Sequence, residues 1–265
     1  MSQAVTQGKI DIAIVTYNSA QVINACLEAL ERHPLTGPFH TIVIDNRSRD
    51  NTVAIIREQF PQVELIENRR NVGLAAAWNQ AIRQGNNSYV LLLNPDTQVS
   101  AGAIDLLAHH LDTNPTVGAV GPQLVGVDGH VQLSCREFPN LLSIVLRGTK
   151  LDRFFPGNAS LQRYLMSDWD HRQTREVDWL LGACILLRRS ALDTVGMFDD
   201  GFFLYYEDID WCFRARAAGW HIHYLPQAQI LHHYQRESAR GLNRQLFHHL
   251  HSIVRLFRKH RLPLW

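Results

Sequence analysis

Short apolar runs alternate with amphipathic segments through the first hundred residues of the chain. The apolar runs are residues 10–16, 41–44, 63–67 and 89–93. Each run is too short for a free-standing helix and is bounded by turn residues, which is typical of buried strands. Apolar positions recur at helical spacing in residues 20–32, 51–60 and 74–84. This alternation predicts an α/β fold built on a mostly parallel, doubly wound sheet.

Polar turns follow the four predicted strands and should meet at one edge of that sheet. These turns are residues 16–18, 45–46, 68–73 and 94–96. Ligands of open α/β sheets bind at this edge, beyond the carboxyl ends of the strands. In the last turn, Asn94-Pro95-Asp96, the amide and carboxylate oxygens suit Mg²⁺ or Mn²⁺ beside a phosphate. The same three residues are equally typical of a turn that caps the following helix.

The pattern becomes less regular after Asp96. It predicts helices at residues 101–111, 190–195 and 209–218, and strands at 117–125, 131–134, 221–225 and 229–231. Residues 179–189 form one more buried run, in which Gly182 indicates a bulge or a close approach by another group. Residues 135–176 are irregular and rich in aromatic and basic side chains. They are interpreted either as an insertion that covers a site or as a surface excursion with a satellite core.

A basic amphipathic helix is predicted for residues 243–260. Its apolar positions are Leu246, Phe247, Leu250, Ile253, Val254 and Phe257, and five basic residues flank them. Such a helix can dock on its own domain, pair with a second subunit or lie on an anionic membrane. Docking on the domain is the favoured interpretation, with membrane contact as a secondary role.

Composition narrows the class of protein. The chain has 265 residues, 46% of them hydrophobic, which suffices for one large α/β domain with an appendage. A net charge of +1 gives no global field that would favour nucleic acid. The four cysteines are scattered and indicate neither a disulfide framework nor a metal site, which fits a reducing compartment. We expect neither a signal peptide nor a membrane span.

Several catalytic classes lack their motif here. No GxGxxG or GxxxxGK[ST] follows the first strand, and no GxSxG is present, which argues against dinucleotide dehydrogenases, P-loop NTPases and α/β-hydrolases. A downstream cluster, Glu207-Asp208-Ile209-Asp210, follows four aromatic residues. Burial there would raise the pKa of Glu207 or Asp208 and suit either for general-base catalysis. The alternative interpretation is a charged helix N-terminus favoured by the helix dipole.

These residues together resemble a known family. The motifs are Val15-Thr16-Tyr17-Asn18-Ser19, Ile44 to Thr52, Asn71-Val72-Gly73-Leu74-Ala75 with Asn79, Asn94-Pro95-Asp96, Gly182-Ala183-Cys184, and Phe198 to Arg214. In this order they resemble the GT-A-fold family 2 glycosyltransferases, and most of all the bacterial rhamnosyltransferase-like group that builds cell-surface polysaccharide. The resemblance runs from about residue 10 to 238.

The resemblance implies a role for each matching residue. The expected nucleotide-sugar ligands are Thr16, Tyr17, Asn18, Asp45 and Asn46 at the nucleoside, and Asn71, Gly73, Asn79, Asn94, Arg236 and Ser238 towards the diphosphate. Asp96 is the surviving acid of the family's DxD motif, because Asn94 occupies the first acidic position. The expected Mg²⁺ or Mn²⁺ therefore needs a further ligand, for which His232 is preferred to His233. Asp208 is the expected base, with Glu207 beside it.

The resemblance also implies an activity and an organisation. Residues 1–239 would form the GT-A domain, with a nucleotide-sugar half (1–99) and an acceptor half (100–239), and residues 240–265 a C-terminal helix. The expected reaction is inverting transfer, with dTDP-rhamnose as the preferred donor and a lipid-linked or polysaccharide acceptor. It would occur in the cytoplasm at the inner membrane face, with a homodimer possible. The alternatives are a UDP-hexose or UDP-N-acetylhexosamine donor, a sugar nucleotidyltransferase and a non-catalytic nucleotide-sugar binder.

Overall fold

The computed structural model describes residues 10–148, 157–233 and 244–262. Arg236 and Ser238, which were expected near the diphosphate, lie outside these ranges. The first half contains four strands: β1 (Ile10–Thr16), β2 (Phe39–Asp45), β3 (Glu64–Glu67) and β4 (Tyr89–Leu93). Its helices are α1 (Ile23–Arg32), α2 (Thr52–Gln59) and α3 (Leu74–Gln84).

These four strands form the parallel sheet that the sequence predicts, in the order β3-β2-β1-β4. Thr16 of β1 lies opposite Asp45 of β2, and Ile14 lies opposite Leu93 of β4. The register therefore brings the carboxyl ends of the strands, and the polar turns that follow them, to one edge.

The second half extends this sheet. Its strands are β5 (Thr97–Val99), β6 (Val117–Val125), β7 (Val131–Gln132), β8 (Cys135–Arg136), β9 (Arg175–Glu176), β10 (Trp179–Leu180), β11 (Cys184–Arg188) and β12 (His221–His232). Its helices are α4 (Ala103–Thr113), α5 (Leu141–Gly148), α6 (Ala159–Leu165), α7 (Arg189–Val195), α8 (Glu207–Ala217) and α9 (Arg244–His260). Beyond β4 the order continues β11-β6-β12-β5.

This extension is not wholly parallel. β11 runs antiparallel to both β4 and β6, and β5 runs antiparallel to β12, so the sheet is mixed. The run at 179–189 is also not one element, because β10 pairs with β8 in a separate small sheet while β11 joins the main one. Conversely, the two strands expected at 221–231 form the single strand β12. Its register shifts between Leu225 and Gln229, next to Pro226, which has no N–H to donate.

Hydrophobic side chains fill both faces of the sheet. In β4, Val90 and Leu92 belong to one core cluster, while Tyr89, Leu91 and Leu93 belong to the other. The alternation explains why β4 is apolar at every position. The described part of the insertion at 135–176 contributes to the first cluster through α6 and neighbouring residues. It is therefore part of the main core, and the interpretation as a surface excursion with a satellite core is wrong.

Helix α9 packs against the domain, but not through the apolar face expected from the sequence. Ser252 and Leu256 are fully buried, whereas Phe247, Leu250 and Val254 are exposed. Ion pairs of Arg255 and Lys259 with Asp199 hold the buried side in place. Among the helices in the described ranges, none combines the length and apolar character needed to cross a bilayer.

Candidate active site

The turns after β1 and β2 form one hydrogen-bonded corner. Thr16 Oγ1 donates to Asp45 Oδ1 at 2.9 Å, and the backbone N–H of Ser48 donates to Asp45 Oδ2 at 2.8 Å. Asp45 is almost fully buried, whereas the ring of Tyr17 beside it is half exposed. Ser48 Oγ also donates to Asp45 Oδ1, so three of the roughly four lone-pair sites of the carboxylate are occupied and one is left for a ligand. The corner thus presents a fixed acceptor and an open aromatic ring.

Asn18 connects the same two turns from the outer side. It has a positive φ of 53°, its backbone N–H donates to Ser48 Oγ, and its Oδ1 accepts from the N–H of Arg49 at 2.8 Å. Asparagine tolerates this left-handed conformation better than most residues. In this structure, therefore, the side chain of Asn18 shapes the corner by holding the second turn.

Asn46 connects this corner to the turn after β3. Its Nδ2 donates to the carbonyl of Gly73 at 3.1 Å, and Asn71 Oδ1 accepts from the N–H of Gly73 at 2.9 Å. Gly73 has a φ of 90°, and a Cβ added there would lie 2.6 Å from the carbonyl oxygen of Phe203. Only glycine allows this close approach. The turn at 71–73 is thereby locked against the segment that precedes Asp208.

Asn79 has a structural role that the sequence did not predict. Its Nδ2 donates to the carbonyl of Phe198 at 2.8 Å, and its Oδ1 accepts from the N–H of Phe198 at 3.0 Å. Both ends of this buried amide are therefore bound to one backbone unit from the other half of the chain. In this structure Asn79 positions the segment that begins at Phe198, and its expected place near the diphosphate stays a prediction.

Asp96 and His232 meet where β4 and β12 end. The Oδ1 atom of Asp96 lies 3.6 Å from Nε2 of His232, which is too far for a hydrogen bond, and Oδ1 has no hydrogen-bond partner among the described residues. Burial raises the pKa of Asp96 to about 6 and lowers that of His232 to about 4. Both groups are thus in their metal-binding forms at neutral pH. His233, the alternative ligand, instead places its ring against Gln98.

Gln132 orients His232, and sequence reasoning did not identify it. Its Oε1 accepts from Nδ1 of His232 at 2.7 Å, and its Nε2 donates to the carbonyl of His232 at 3.0 Å. Because an amide oxygen can only accept, Nδ1 carries the proton, and in the neutral ring Nε2 keeps its lone pair towards Asp96. Metal-binding histidines are held in this way by a partner on the other nitrogen.

The donor set therefore fits a divalent cation, because it brings a carboxylate oxygen of Asp96 and an imidazole nitrogen of His232 within 3.6 Å of each other. Within residues 10–148, 157–233 and 244–262, however, no three His, Cys, Asp or Glu side chains come together as a metal site. The pair of Asp96 and His232 supplies only part of a coordination sphere. The remaining ligands would come from diphosphate oxygens and water, as is usual for Mg²⁺.

Glu207 and Asp208 begin helix α8 and are both buried. Asp208 Oδ2 accepts from the N–H of Gly182 at 2.9 Å, and Oδ1 accepts from the N–H of Ile209 at 2.8 Å. Glu207 Oε2 has no hydrogen-bond partner among the described residues. Burial raises the pKa of both groups, and the Asp208 charge raises that of Glu207 further, well above its usual range. The pair therefore favours an ionised Asp208 beside a protonated Glu207.

The acid two positions further along has a structural role. Asp210 Oδ2 accepts from Arg214 at 2.9 Å, and its Oδ1 lies 2.7 Å from both Lys259 and His260 of α9. The alternative of a charged helix N-terminus thus applies to Asp210. Directly before the pair, Tyr205 and Tyr206 both have positive φ, a strained conformation for aromatic residues.

One backbone segment joins the pair of Asp96 and His232 to the carboxylate pair. The N–H of Asn94 donates to the carbonyl of Ala183 at 2.9 Å, next to the residue whose N–H holds Asp208. Two adjacent residues, Gly182 and Ala183, therefore link Asp208 to the turn that carries Asp96. The structure brings together the turns at 16–18, 45–46, 71–73 and 94–96 with His232, Glu207 and Asp208.

Gly182 provides a test of this junction. A Cβ added there would lie 2.6 Å from the ring of Trp78, whose indole is fully buried. We expect Gly182→Ala to lower the free energy of unfolding by about 1–3 kcal/mol, the usual cost of overpacking a core. Gly157→Ala is the matched control, because nothing lies within 4 Å of its added methyl group. Equal midpoints of chemical denaturation for both variants would contradict this close packing.

Comparison with known proteins relates this site to one enzyme family. The model for Glycosyl transferase family 2 matches residues 11–213. N-acetylglucosaminyl-diphospho-decaprenol L-rhamnosyltransferase of Mycobacterium tuberculosis is 32% identical over 96% of this chain and 87% of its own. Rhamnosyltransferase WbbL of Escherichia coli is 35% identical over 72% of this chain and 70% of its own.

Among solved structures, GalNAc-T7 with UDP, GalNAc and Mn²⁺ superposes with a TM-score of 0.67 at 13% identity. The alignment covers 94% of this chain but only 48% of the GalNAc-T7 chain. At this identity the likeness concerns the fold alone. It confirms the GT-A architecture expected from the sequence.

Proposed function

The chain belongs to glycosyl transferase family 2, and from this membership we propose that it moves L-rhamnose from dTDP-rhamnose to a hydroxyl group of a lipid-linked saccharide. The sugar is proposed because both relatives described above are named as rhamnosyltransferases. The acceptor is proposed from the name of the mycobacterial relative, which specifies a diphospho-decaprenol. Such an acceptor would place the reaction at the inner face of the cytoplasmic membrane, in cell-surface glycan synthesis.

A single observation carries the mechanism: the buried carboxylate of Asp208 lies beside the turn that carries Asp96. Asp208 Oδ2 and Oδ1 are held by the N–H groups of Gly182 and Ile209, so the carboxylate is fixed before substrate arrives. We assign to it the proton of the acceptor hydroxyl group. The hydroxyl oxygen then bonds to the anomeric carbon while the bond from that carbon to the diphosphate breaks. Attack from the opposite face inverts the anomeric configuration.

Glu207 supports Asp208 but does not itself accept the proton of the acceptor hydroxyl group. Because it is held protonated beside Asp208, it adds no second negative charge to the pair. It also leaves Asp208 as the group that is ionised and able to accept. Such a division between two adjacent carboxyl groups is the usual result when their environments separate their pKa values.

We propose Asp96 and His232 as the residues that hold a divalent cation, either Mg²⁺ or Mn²⁺. When bound, the cation supplies Lewis-acid neutralisation of the charge on the departing diphosphate. Gln132 keeps Nε2 of His232 directed at Asp96, and the turn at 71–73 limits the space on the diphosphate side. Asp45 and Tyr17 are proposed to hold the nucleoside, the former as acceptor and the latter as a stacking surface.

A panel of nucleotide sugars tests the proposal. We expect release of nucleoside diphosphate from dTDP-rhamnose, with divalent cation and a saccharide-diphosphate-lipid acceptor present, and much slower release from UDP-glucose, UDP-galactose or UDP-N-acetylglucosamine. Preference for a UDP-sugar would show that the proposed donor is wrong, while the chain would still be a glycosyltransferase. Formation of a nucleotide sugar from a sugar phosphate would indicate a nucleotidyltransferase, and binding without turnover on any donor would indicate a non-catalytic binder.

A further inference from the structure

Helix α9 carries an exposed apolar surface that the catalytic site does not use. The exposed fractions are 69% for Phe247, 55% for Leu250 and 55% for Val254. These positions are separated by three and four residues, so they lie on one side of the helix, over about 10 Å of its length. We call these three residues the α9 stripe. Exposed apolar surface concentrated in this way marks an interaction site more often than scattered single residues do.

Basic residues follow the α9 stripe towards the C-terminal end of the helix. Arg258 follows Val254 at a spacing of four residues, and Arg261 lies one residue beyond the end of the helix with a φ of 50°; both are exposed. The sequence from Arg244 to Leu262 contains no aspartate or glutamate. Arg255 and Lys259, in contrast, point to Asp199 on the domain. The outer side of α9 is therefore apolar at one end and cationic at the other, which is complementary to a surface with negative charges above an apolar layer.

The inner side of the same helix contacts the segment that carries the proposed base. Ser252 Oγ donates to the carbonyl of Leu204 at 2.9 Å, and Tyr206 Oη lies 3.4 Å from Nε2 of His249. Arg255 Nη2 donates to Asp199 Oδ1 at 2.7 Å, and an added Cβ at Gly201 would collide with the Arg255 guanidinium. The segment at 199–206, which leads along the chain to Asp208, is thus in contact with α9.

We propose that the α9 stripe, with Arg258 and Arg261, docks on a lipid bilayer that contains anionic headgroups. Amphipathic helices with apolar and basic positions on the outer side bind such surfaces by combining apolar burial with attraction to acidic lipids. Docking would fix the orientation of residues 199–206, and hence of Asp208, relative to the membrane. This second consequence rests on the proposed lipid-linked acceptor, whereas the docking itself does not.

A second copy of the chain fits the stripe less well than a bilayer does. In a symmetric pair formed through this side of the helix, the two arginines of each copy would meet the same side of its partner. That side offers apolar residues and further arginines but no carboxylate. A bilayer supplies both the apolar layer and the negative charge.

Sedimentation with vesicles tests the docking. The full chain should bind vesicles of phosphatidylcholine mixed with phosphatidylglycerol, and bind pure phosphatidylcholine far more weakly. Two arginines near an acidic surface contribute about 1 kcal/mol each, so Arg258→Gln with Arg261→Gln should weaken binding roughly 30-fold, since 1.4 kcal/mol corresponds to tenfold. Replacing Phe247, Leu250 and Val254 together by serine should reduce binding at least as much.

Val127→Ser is the matched control, because Val127 is equally exposed but lies outside α9. It should bind vesicles like the parent, and all variants should keep the parent's thermal midpoint. Binding that does not distinguish the two lipids, or that survives the triple serine variant, would overturn the proposal. So would a parent chain that ignores vesicles but forms a dimer that the triple variant loses.

A separate readout distinguishes failure of docking from failure of the proposed function. Transfer to a short-chain, water-soluble saccharide diphosphate should be unchanged by the triple serine variant, whereas transfer to the same saccharide on a bilayer-embedded lipid should fall. If the triple serine variant loses vesicle binding but the parent chain transfers sugar to neither acceptor, the docking proposal is supported and the proposed activity is refuted. Equal loss with both acceptors would show that the stripe acts on the fold and would overturn the docking role.

Discussion

Replacing Asp208 by asparagine should reduce sugar transfer by about 10²- to 10⁴-fold, the usual contribution of a general base. The donor should bind as before, because Asp208 is assigned to the acceptor hydroxyl group and its carboxylate is held by the N–H groups of Gly182 and Ile209. Asparagine can accept from only one of the two N–H groups that hold the carboxylate, so thermal midpoints must be compared first. Transfer rates and calorimetric donor affinity then provide the two readouts.

Glu207→Gln is the discriminating control for this result. Glutamine resembles the protonated form in which burial and the Asp208 charge hold Glu207. The variant should therefore lose much less activity than Asp208→Asn. If Glu207→Gln were the inactive variant and Asp208→Asn the active one, the base would be misassigned.

The pH dependence follows from the same assignment. Burial raises the pKa of Asp208, and a general base works only when deprotonated. The value of kcat/KM should therefore fall as the pH decreases through that raised pKa. At divalent-cation concentrations that saturate the site at every pH, this acidic limb should disappear in the residual activity of Asp208→Asn.

Removing either proposed metal ligand should abolish the dependence of donor binding on a divalent cation. Titration calorimetry of Asp96→Ala and His232→Ala with dTDP, with and without Mn²⁺, is the direct measurement. Gln132→Leu should weaken metal-dependent binding by about 10- to 100-fold, since it removes the partner that holds the His232 ring. His233→Ala is the matched control, because that ring contacts Gln98 instead.

Proton competition gives this prediction a defined pH window. Asp96, with a pKa of about 6, must be deprotonated to bind a cation, whereas His232, with a pKa of about 4, is already neutral above pH 5. Affinity for Mn²⁺ should thus fall as the pH decreases below about 6 and change little above 7. Equal donor affinity of the parent chain with and without divalent cation would refute the metal site.

The elements that the sequence predicts accurately are those whose boundaries are set locally. Residues 74–84, 89–93 and 117–125 were predicted with the bounds that the structure has. Leu74 follows Gly73, whose φ of 90° favours glycine, and β4 ends before Asn94-Pro95. Such signals act within a few residues, so they can be read without knowledge of the fold.

Strand direction and pairing could not be predicted in the same way. The apolar run at 184–188 has the same composition whether it runs parallel or antiparallel to β4, because it is buried on both faces in either case. Its assignment depends on β6 and β12, which are distant in sequence. The separation of β10 from β11 likewise depends on the packing of Trp78 and Asp208 around Gly182.

In the site, too, features set by nearby residues could be predicted and features set by distant residues could not. The turns at the strand ends could be located because parallel strands bring their carboxyl ends together. The hydrogen bonds of Gln132 and Asn79 could not be predicted, since each joins the residue to one about 100 positions away. The docking side of α9 was misjudged because ion pairs to Asp199 and Asp210, rather than apolar periodicity, determine which side faces the domain.

The anomeric configuration of the product tests the central claim most directly. We propose incubating the parent chain with dTDP-rhamnose, Mg²⁺ or Mn²⁺ and a saccharide-diphosphate-lipid acceptor, and determining the new linkage by NMR spectroscopy. Direct displacement assisted by Asp208 predicts a linkage of the configuration opposite to that of the donor. A linkage with the donor's configuration would require a covalent intermediate, and would contradict the assignment of Asp208 as the general base.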